Sequence, residues 1–311
     1  MKAPFSFTEI LSEPKIDIPE YRFIESFDST PLAYYLFPAE SASKNLIFIH
    51  GSGAHSMAGY QYLADSLSRE TDVNVFLFDL RCHGQSGGKK GHANCAEEIM
   101  RDISYMIEFV SAQNGLPVFL GGHSWGASAV MNYVIYPYKK PVEGYVLLAP
   151  SLGVGRKYNK YPPRKHPYVR ANIFRVMLSI FFGEQIFKHK PVLSLNYPDE
   201  ILNGDSLITT EYNYPMLNSM MVRNPRHIFM RIDQPFCLLV GEDDELFITE
   251  RYYEVFYHAK LSIRDRSKYC TVKGSKHISL ILKSCREIAG FLDEIISSGQ
   301  KKTGTLSERT G

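Results

Sequence analysis

Residues 118–134 read VFLGGHSWGASAVMNYV: an apolar run, a serine between glycines, and then a pattern typical of a helix. The serine is Ser124, and the residues two positions before and after it are both glycine. A serine on the strained turn between a strand and a helix needs such small neighbours, because larger side chains would clash there. The following helix directs the positive end of its dipole toward any anion formed at the serine. The stretch therefore predicts a nucleophilic serine, with a chance GxSxG string in a linking loop as the alternative.

A nucleophilic serine needs a base that accepts its proton and a carboxylate that orients the base. Two later segments offer these groups, GEDDE at residues 241–245 and GSKH at residues 274–277. Each follows an apolar run, so each is expected beyond the carboxyl end of a strand, where open α/β sheets build their sites. His277 alone among the ten histidines combines the right chain order with this loop context, and we predict it as the base rather than a surface histidine. The acid is Asp243 or Asp244, and the spacing of the segment favours Asp244.

The oxyanion formed by serine attack on a carbonyl needs nearby N–H donors. HGSG at residues 50–53 follows the apolar run LIFI, the position from which α/β-hydrolases supply one such N–H. We predict the backbone N–H groups of Ser52 and Trp125 as the donors, with an ordinary glycine turn as the alternative. His50 and His55 lack the ligand cluster of a metal site, so we expect no metal and no cofactor.

Short apolar runs alternate with helical patterns along most of the chain. Because the runs are apolar almost throughout, they predict strands covered on both faces, as in a mainly parallel sheet. The clearest helical pattern covers residues 95–113. The sequence therefore predicts an α/β fold with a mostly parallel eight-stranded sheet, helices on both faces and an antiparallel edge at its start. The predicted strands are residues 21–27, 32–37, 46–50, 73–79, 118–122, 144–149, 236–241 and 269–272.

The alternation of strands and helices stops between residues 151 and 232, where proline, tyrosine, lysine and arginine are frequent. We predict that residues 151–232 form a cap inserted between two core parts, residues 1–150 and residues 233–296. Residues 297–311 are polar and have no apolar periodicity, so we expect a flexible tail there.

The composition is that of a globular protein, since 44% of the 311 residues are hydrophobic and 22% are charged. The formal net charge of +2 is too small for a nucleic-acid-binding protein, which normally concentrates a large basic excess on one face. The five cysteines are scattered and form no CxxC pair, so they indicate neither a zinc site nor a redox dithiol.

The N-terminal segment carries Glu9, Glu13 and Asp17 where a secretory signal would need an uninterrupted apolar stretch. The chain also has no run of about eighteen apolar residues, the minimum for a membrane-spanning helix. We therefore expect a cytoplasmic protein, with any membrane contact peripheral and made through the cap.

The segments discussed above and two others form six motifs, which occur in the order of a known family. They are HGSGAHS (50–56), DLRCHGQSGG (79–88), GGHSWG (121–126), VLLAPS (146–151), GEDDELF (241–247) and GSKHIS (274–279). Together they resemble the monoacylglycerol lipase and lysophospholipase group of α/β-hydrolases, sometimes classed with serine aminopeptidases. The resemblance covers most of the chain outside the cap. It implies the α/β-hydrolase fold, a catalytic triad of Ser124, Asp244 and His277, and an oxyanion hole at Ser52 and Trp125.

The sequence departs from this group at Cys82, where relatives often have glycine. The departure concerns the local loop rather than the chemistry. In having Trp125 the chain resembles relatives whose nucleophile is aspartate, such as epoxide hydrolases. A serine at position 124 cannot form the ester intermediate of those enzymes.

The cap is the part expected to choose the substrate. Residues 169–187 are rich in apolar side chains, which either hold an acyl chain or form the packing face of a cap helix. Residues 156–170 contain six Lys or Arg and no acid, so they either attract anionic lipid head groups or form a solvated loop.

The sequence thus predicts a carboxylic-ester hydrolase that acts on a lipid-like monoester, such as a monoacylglycerol or lysophospholipid, through an acyl-enzyme. A thioesterase or an esterase of small esters would use the same triad. A non-catalytic binding protein of this fold would lack a triad member, and here every expected member is present. An aminopeptidase or amidase would need acidic groups in the cap, where Glu184, Asp199, Glu200, Asp205 and Glu211 occur.

Overall fold

The fold is described from a computed structural model, which covers residues 6–153, 157–160 and 167–307. Its strands are β1 (Arg22–Glu25), β2 (Pro31–Phe37), β3 (Lys44–Ile49), β4 (Val73–Phe78), β5 (Val118–His123), β6 (Gly144–Leu148), β7 (Val169–Ala171), β8 (Leu193–Leu195), β9 (Glu211–Tyr212), β10 (Phe236–Gly241) and β11 (Lys268–Val272). Its helices are α1 (Thr8–Ser12), α2 (Tyr60–Glu70), α3 (Glu97–Asn114), α4 (Trp125–Val134), α5 (Ile173–Phe182), α6 (Asp199–Gly204), α7 (Tyr214–Met220), α8 (Pro225–Arg231), α9 (Glu250–Phe256), α10 (Leu261–Arg264), α11 (Leu280–Lys283) and α12 (Cys285–Ser307).

The core of the described chain is an eight-stranded sheet in the order β1-β2-β4-β3-β5-β6-β10-β11. β2 pairs antiparallel with both β1 and β4, and the other neighbouring strands are parallel. All residues of the central strands β3, β4, β5, β6 and β10 are buried, which explains their continuous apolar runs. The predicted α/β fold with a mostly parallel eight-stranded sheet is confirmed.

The helices of the core form two packed groups. α2 contacts α11 and α12, while α3 contacts α4, and both groups also contact strands of the sheet. α3 buries the stripe that its sequence pattern predicts, including Ile99, Ile103 and Val110. β5 and most of α4 are buried in this packing, on either side of the turn that joins them.

The predicted cap segment contains a small antiparallel sheet in the order β7-β8-β9, together with α5, α6, α7 and α8. Backbone hydrogen bonds join it to the core: the N–H of Thr209 donates to the carbonyl of Gly53 at 2.8 Å, and that of Asn213 to Gly91 at 3.1 Å. The N–H of Lys160 also donates to the carbonyl of Leu246 at 2.7 Å. The segment is therefore attached directly to the loop that follows β3.

The last helix, α12, continues to Ser307, where the sequence predicts a flexible tail from Ser297. Burial of Ile288, Leu292 and Ile295 fixes the start of α12, and each further residue then adds one backbone hydrogen bond. Residues 308–311 lie outside the described residues. In the part of the chain that the structure describes, no helix combines the length and the apolar character needed to cross a bilayer.

Candidate active site

Ser124 lies on the sharp turn between β5 and α4, with φ of 53° and ψ of −121°. The two glycines that bracket it are needed there. A Cβ on Gly122 would lie 2.7 Å from the carbonyl carbon of Gly126, and a Cβ on Gly126 would lie 2.2 Å from the carbonyl oxygen of His50. The strained backbone and close approaches match the geometry that presents a serine side chain above the sheet.

The structure brings Ser124, His277 and Asp244 into one hydrogen-bonded chain. The Oγ of Ser124 is 3.0 Å from Nε2 of His277, and Nδ1 of His277 is 2.7 Å from Oδ2 of Asp244. Because a carboxylate accepts, Nδ1–H donates to Asp244, which leaves Nε2 to accept the hydroxyl proton of Ser124. All three side chains are buried.

The structure places Asp244, and not Asp243, against the imidazole. The other carboxylate oxygen of Asp244 accepts the backbone N–H groups of Leu246 at 2.8 Å and Phe247 at 2.9 Å. Burial opposes the charged form, but the charge and hydrogen bond of His277 and these two N–H groups hold the pKa of Asp244 below its ordinary value. Asp243 is exposed to solvent.

The loop that carries Ser52 lies beside the nucleophile, since a Cβ on Gly51 would be 3.4 Å from the Cβ of Ser124. Two cap tyrosines hold this loop: the hydroxyls of Tyr168 and Tyr197 donate to the carbonyl of Ser52 at 3.0 and 2.6 Å. Within the described residues, the backbone N–H groups of Ser52 and Trp125 donate to no protein acceptor. Both donors thus remain available to a bound ligand.

A second set of hydrogen bonds, which the sequence analysis misses, joins the loops around Ser124. The hydroxyl of Tyr60 accepts the N–H of Gly51 at 2.8 Å and lies 2.9 Å from Nδ1 of His123, while Nε2 of His123 is 3.0 Å from the carbonyl of His277. Burial lowers the pKa of His123 well below its ordinary value, so the ring is neutral and Nε2–H is the donor. The position of His123 directly before Ser124 is the sequence signal that could have identified it.

Ser124 and His277 open into a cavity of about 330 Å³. Its walls come from α1, from the loop after β3 and the start of α2, from α6 and the loop after it, and from residues near His277. The apolar side chains in these walls are Phe7, Ile10, Leu11, Ala54, Met57, Ala58, Ile201, Ile208, Leu246, Ile278 and Ile281. The cavity is therefore suited to an apolar ligand group beside the serine.

None of the apolar residues of 169–187 lines the cavity at Ser124, and only Val169, Val176 and Phe187 among them pack, partly buried, against the core. Within α5, Phe174, Phe181 and Phe182 are 71%, 73% and 72% exposed, and none of the three lines the cavity at Ser124. The short α5 is joined to the chain beside β8 through its start, where the N–H of Asn172 donates to the carbonyl of Val192 at 2.8 Å and the guanidinium of Arg175 donates to the carbonyl of Pro191 at 2.7 Å. The basic run of residues 156–170 lies partly outside the described residues.

Of the five acidic cap residues considered for an amine-binding site, Glu200 and Asp205 line the cavity. The carboxylate of Asp205 is 2.6 Å from Nε2 of His55, whose Nδ1 accepts the N–H of Met57. Asp205 is therefore engaged by a core histidine, which leaves Glu200 as the acid of this pair that faces solvent.

The family described as Serine aminopeptidase, S33 matches residues 40–277. The chain belongs to this family. This S33 family member is 28% identical to human monoglyceride lipase over 245 residues, which are 76% of each chain. In structure it resembles a soluble variant of monoglyceride lipase from Saccharomyces cerevisiae in complex with a substrate analog, with a TM-score of 0.72, 17% identity and coverage of 91% and 97% of the two chains.

Other relatives of this S33 family member are longer proteins. The chain is 26% identical over 251 residues to the uncharacterized protein YnbC of Escherichia coli, of which it covers 41%. It is 24% identical over 265 residues to a putative monoglyceride lipase of Schizosaccharomyces pombe, of which it covers 65%. The family match and the fold confirm the expected α/β-hydrolase fold and the resemblance to the monoacylglycerol lipase group.

Proposed function

We propose that the protein is a carboxylic-ester hydrolase that cleaves a lipid-like monoester, a monoacylglycerol or a lysophospholipid, through an acyl-enzyme on Ser124. One observation carries the proposal: the hydrogen-bonded chain from Ser124 through His277 to Asp244 opens into a cavity with apolar walls. A hydroxyl, an imidazole and a carboxylate in this order are the parts of a general-base-activated serine nucleophile.

In the first half of the reaction, Oγ of Ser124 attacks the acyl carbonyl while Nε2 of His277 takes its proton. The carbonyl oxygen becomes an oxyanion, which the N–H groups of Ser52 and Trp125 stabilise. The imidazolium then gives its proton to the departing alcohol oxygen as the carbon–oxygen bond breaks. Asp244 stays ionised throughout and holds the ring in the orientation that both transfers need.

In the second half, a water molecule attacks the acyl-enzyme and His277 accepts its proton. The carbonyl oxygen again becomes an oxyanion at Ser52 and Trp125. Collapse of this intermediate releases the carboxylic acid and returns the proton to Oγ of Ser124. At the end of the cycle Ser124, His277 and Asp244 have their original protonation states, so the reaction consumes only the ester and water.

The test is a kcat/KM series of esters from acetyl to palmitoyl, measured beside Ser124→Ala. We expect a preference for medium or long acyl chains that disappears in the variant. Activity confined to the shortest esters would favour the small-ester alternative, and activity that survives in Ser124→Ala would refute the nucleophile. Acyl thioesters and aminoacyl amides run in parallel separate the thioesterase and aminopeptidase alternatives, the latter supported only by Glu200 in the cavity wall.

A further part of this proposal is a peripheral contact with an anionic lipid surface through α5. Its exposed phenylalanines form an apolar face, and the chain just before it supplies Lys157, Lys160 and Arg170 without an intervening acid. Apolar side chains that enter the interface beside basic residues that attract anionic head groups are the usual parts of such a contact. The contact would bring the protein to the source of a lipid ester.

A further inference from the structure

The N-terminal segment, residues 6–13, forms part of the cavity wall beside the cap. α1 is a helix of five residues that buries only Ile10. Phe7, Ile10 and Leu11 all line the cavity that contains Ser124 and His277. Ile10 sits over the start of α2, where a Cβ on Gly59 would lie 2.5 Å from its Cδ1. An apolar ligand in the cavity would therefore contact side chains from the beginning of the chain.

On the cap side, this segment touches a residue that holds the Ser52 loop. The ring of Phe7 packs on the ring of Tyr197, with a centroid distance of 5.8 Å. The Tyr197 hydroxyl donates to the carbonyl of Ser52 at 2.6 Å. The position of Phe7 is thus linked to the peptide group next to the proposed oxyanion donor.

On the other side, the segment touches the loop of His277 through one carboxylate. Oε1 of Glu245 accepts the N–H of Ser6 at 3.3 Å, and Oε2 of the same side chain accepts the N–H of His277 at 2.8 Å. Glu245 therefore joins the N-terminal segment to the backbone of the proposed base.

The ion pair of α1 is made at the surface of the protein. The pair, Glu9 with Lys283 at 3.0 Å, joins two side chains that are 38% and 40% exposed, and such surface pairs contribute little stability. Leu11 is 57% exposed although it reaches the cavity. A short helix with one buried side chain and a weak surface pair can leave its site without unfolding the core.

We propose that residues 6–13 are a lid, which closes over the substrate chain beside the cap and sets the chain length that the cavity prefers. The proposal rests on the proposed function for the identity of the chain as an acyl group. The apolar face of α1 supplies the packing surface for the chain. Contacts with Tyr197 and Glu245 fix the position of the closed lid relative to the loops that carry Ser52 and His277.

The experiment measures binding of decanoic acid and butanoic acid to the full chain carrying Ser124→Ala, so that no turnover occurs. Ile10→Ala and Leu11→Ala are each added to this background. Leu11 is exposed, so its replacement leaves the fold intact. Ile18→Ala is the matched control, because Ile18 is 51% exposed on the same N-terminal arm and does not line the cavity.

We expect Kd for decanoic acid to rise about tenfold in both α1 variants, the scale on which a few methylene contacts count in an apolar pocket. Kd for butanoic acid, and all values for Ile18→Ala, should stay within about twofold of the parent. Hydrogen exchange of residues 7–12 should slow when decanoic acid binds.

Equal decanoic acid affinities in the parent and both α1 variants would overturn the proposed lid. So would unchanged exchange of residues 7–12 at saturating decanoic acid. An α1-dependent affinity in a protein that hydrolyses no ester would support the lid and refute the proposed function alone, so the two failures are distinguishable.

Discussion

Asp243 and Asp244 are adjacent carboxylates whose surroundings differ. Asp244 is buried, accepts two backbone N–H groups and contacts His277, whereas Asp243 is exposed. Adjacent residues on an irregular loop point in different directions, and which one faces inward depends on loop backbone that the sequence leaves undetermined. The sequence therefore narrowed the acid to two residues, and the contacts of the folded loop distinguish them.

Replacing Asp244 by Asn should lower kcat by about a thousandfold or more, because the amide favours the wrong tautomer of His277 and no longer stabilises the imidazolium. Asp243→Asn makes the same chemical change one residue away, and we expect kcat within about twofold of the parent. Both are measured with the best ester of the acyl series, and thermal unfolding checks that each variant is folded. A larger loss in Asp243→Asn than in Asp244→Asn would contradict the assignment.

Cys82 shows how a departure from a family pattern fits the fold. Its φ is 64°, in the left-handed region that glycine adopts most readily, which explains why glycine is frequent there in relatives. The buried thiol donates to the carbonyl of His92 at 3.0 Å, and a Cβ on Gly88 would lie 2.5 Å from its Sγ. The loop accommodates the cysteine by giving its side chain a partner and a glycine neighbour.

At the scale of the element, long and periodic segments were predictable and short ones were not. α3 and all eight strands of the main sheet follow from apolar patterns. β7, β8 and β9 have only two or three residues each, too few for a period of two to be recognised. α1 has five residues and a single buried side chain, so nothing in its sequence distinguishes it from a surface turn.

The exposed face of α5 gives a prediction for membrane binding. Phe181→Ser combined with Phe182→Ser should weaken partitioning onto vesicles with anionic lipid by at least about tenfold, since each phenylalanine loses a burial worth about 1.5–3 kcal/mol. Hydrolysis of a dissolved short ester should be unchanged, because neither side chain lines the cavity. Sedimentation with phosphatidylglycerol-containing vesicles measures the partitioning.

Tyr138→Ser is the control for that experiment, since Tyr138 is 72% exposed, as Phe182 is, but lies beyond α4. It should leave vesicle binding unchanged. If Tyr138→Ser weakened vesicle binding as much as the α5 variant, the contact would not be specific to α5. If neither variant weakened vesicle binding, the exposed face of α5 would have another role.

At the scale of the whole molecule, the proposed active site joins residues from four distant parts of the chain. Ser52, Ser124, Asp244 and His277 follow β3, β5, β10 and β11, four strands of one sheet that run parallel. Because parallel strands place their carboxyl ends at one edge, the sequence could predict that these loops meet. It could not predict the tyrosines that hold them, since the contacts of Tyr168 and Tyr197 depend on how the cap docks.

Where these loops meet, His50, His83 and His123 are buried in neutral form near the proposed active site. Burial lowers the pKa of His50 and of His83 to about 3, and that of His123 well below its ordinary value. In the unfolded chain each ring titrates near its ordinary value of about 6.5. Between these values the unfolded chain binds more protons than the folded one, so stability falls as pH falls from about 6.5 toward 3.

By pH 5.5 each of these histidines should lower the free energy of unfolding by about 1.4 kcal/mol relative to pH 7.5, or about 4 kcal/mol for the three. Urea unfolding at the two pH values measures the difference. His83→Gln removes one of the three groups and should reduce the pH dependence of the free energy of unfolding by about a third. This holds whatever the variant does to the free energy of unfolding at pH 7.5. Equal pH dependence in His83→Gln and the parent would mean that His83 does not contribute to the acid sensitivity of the fold.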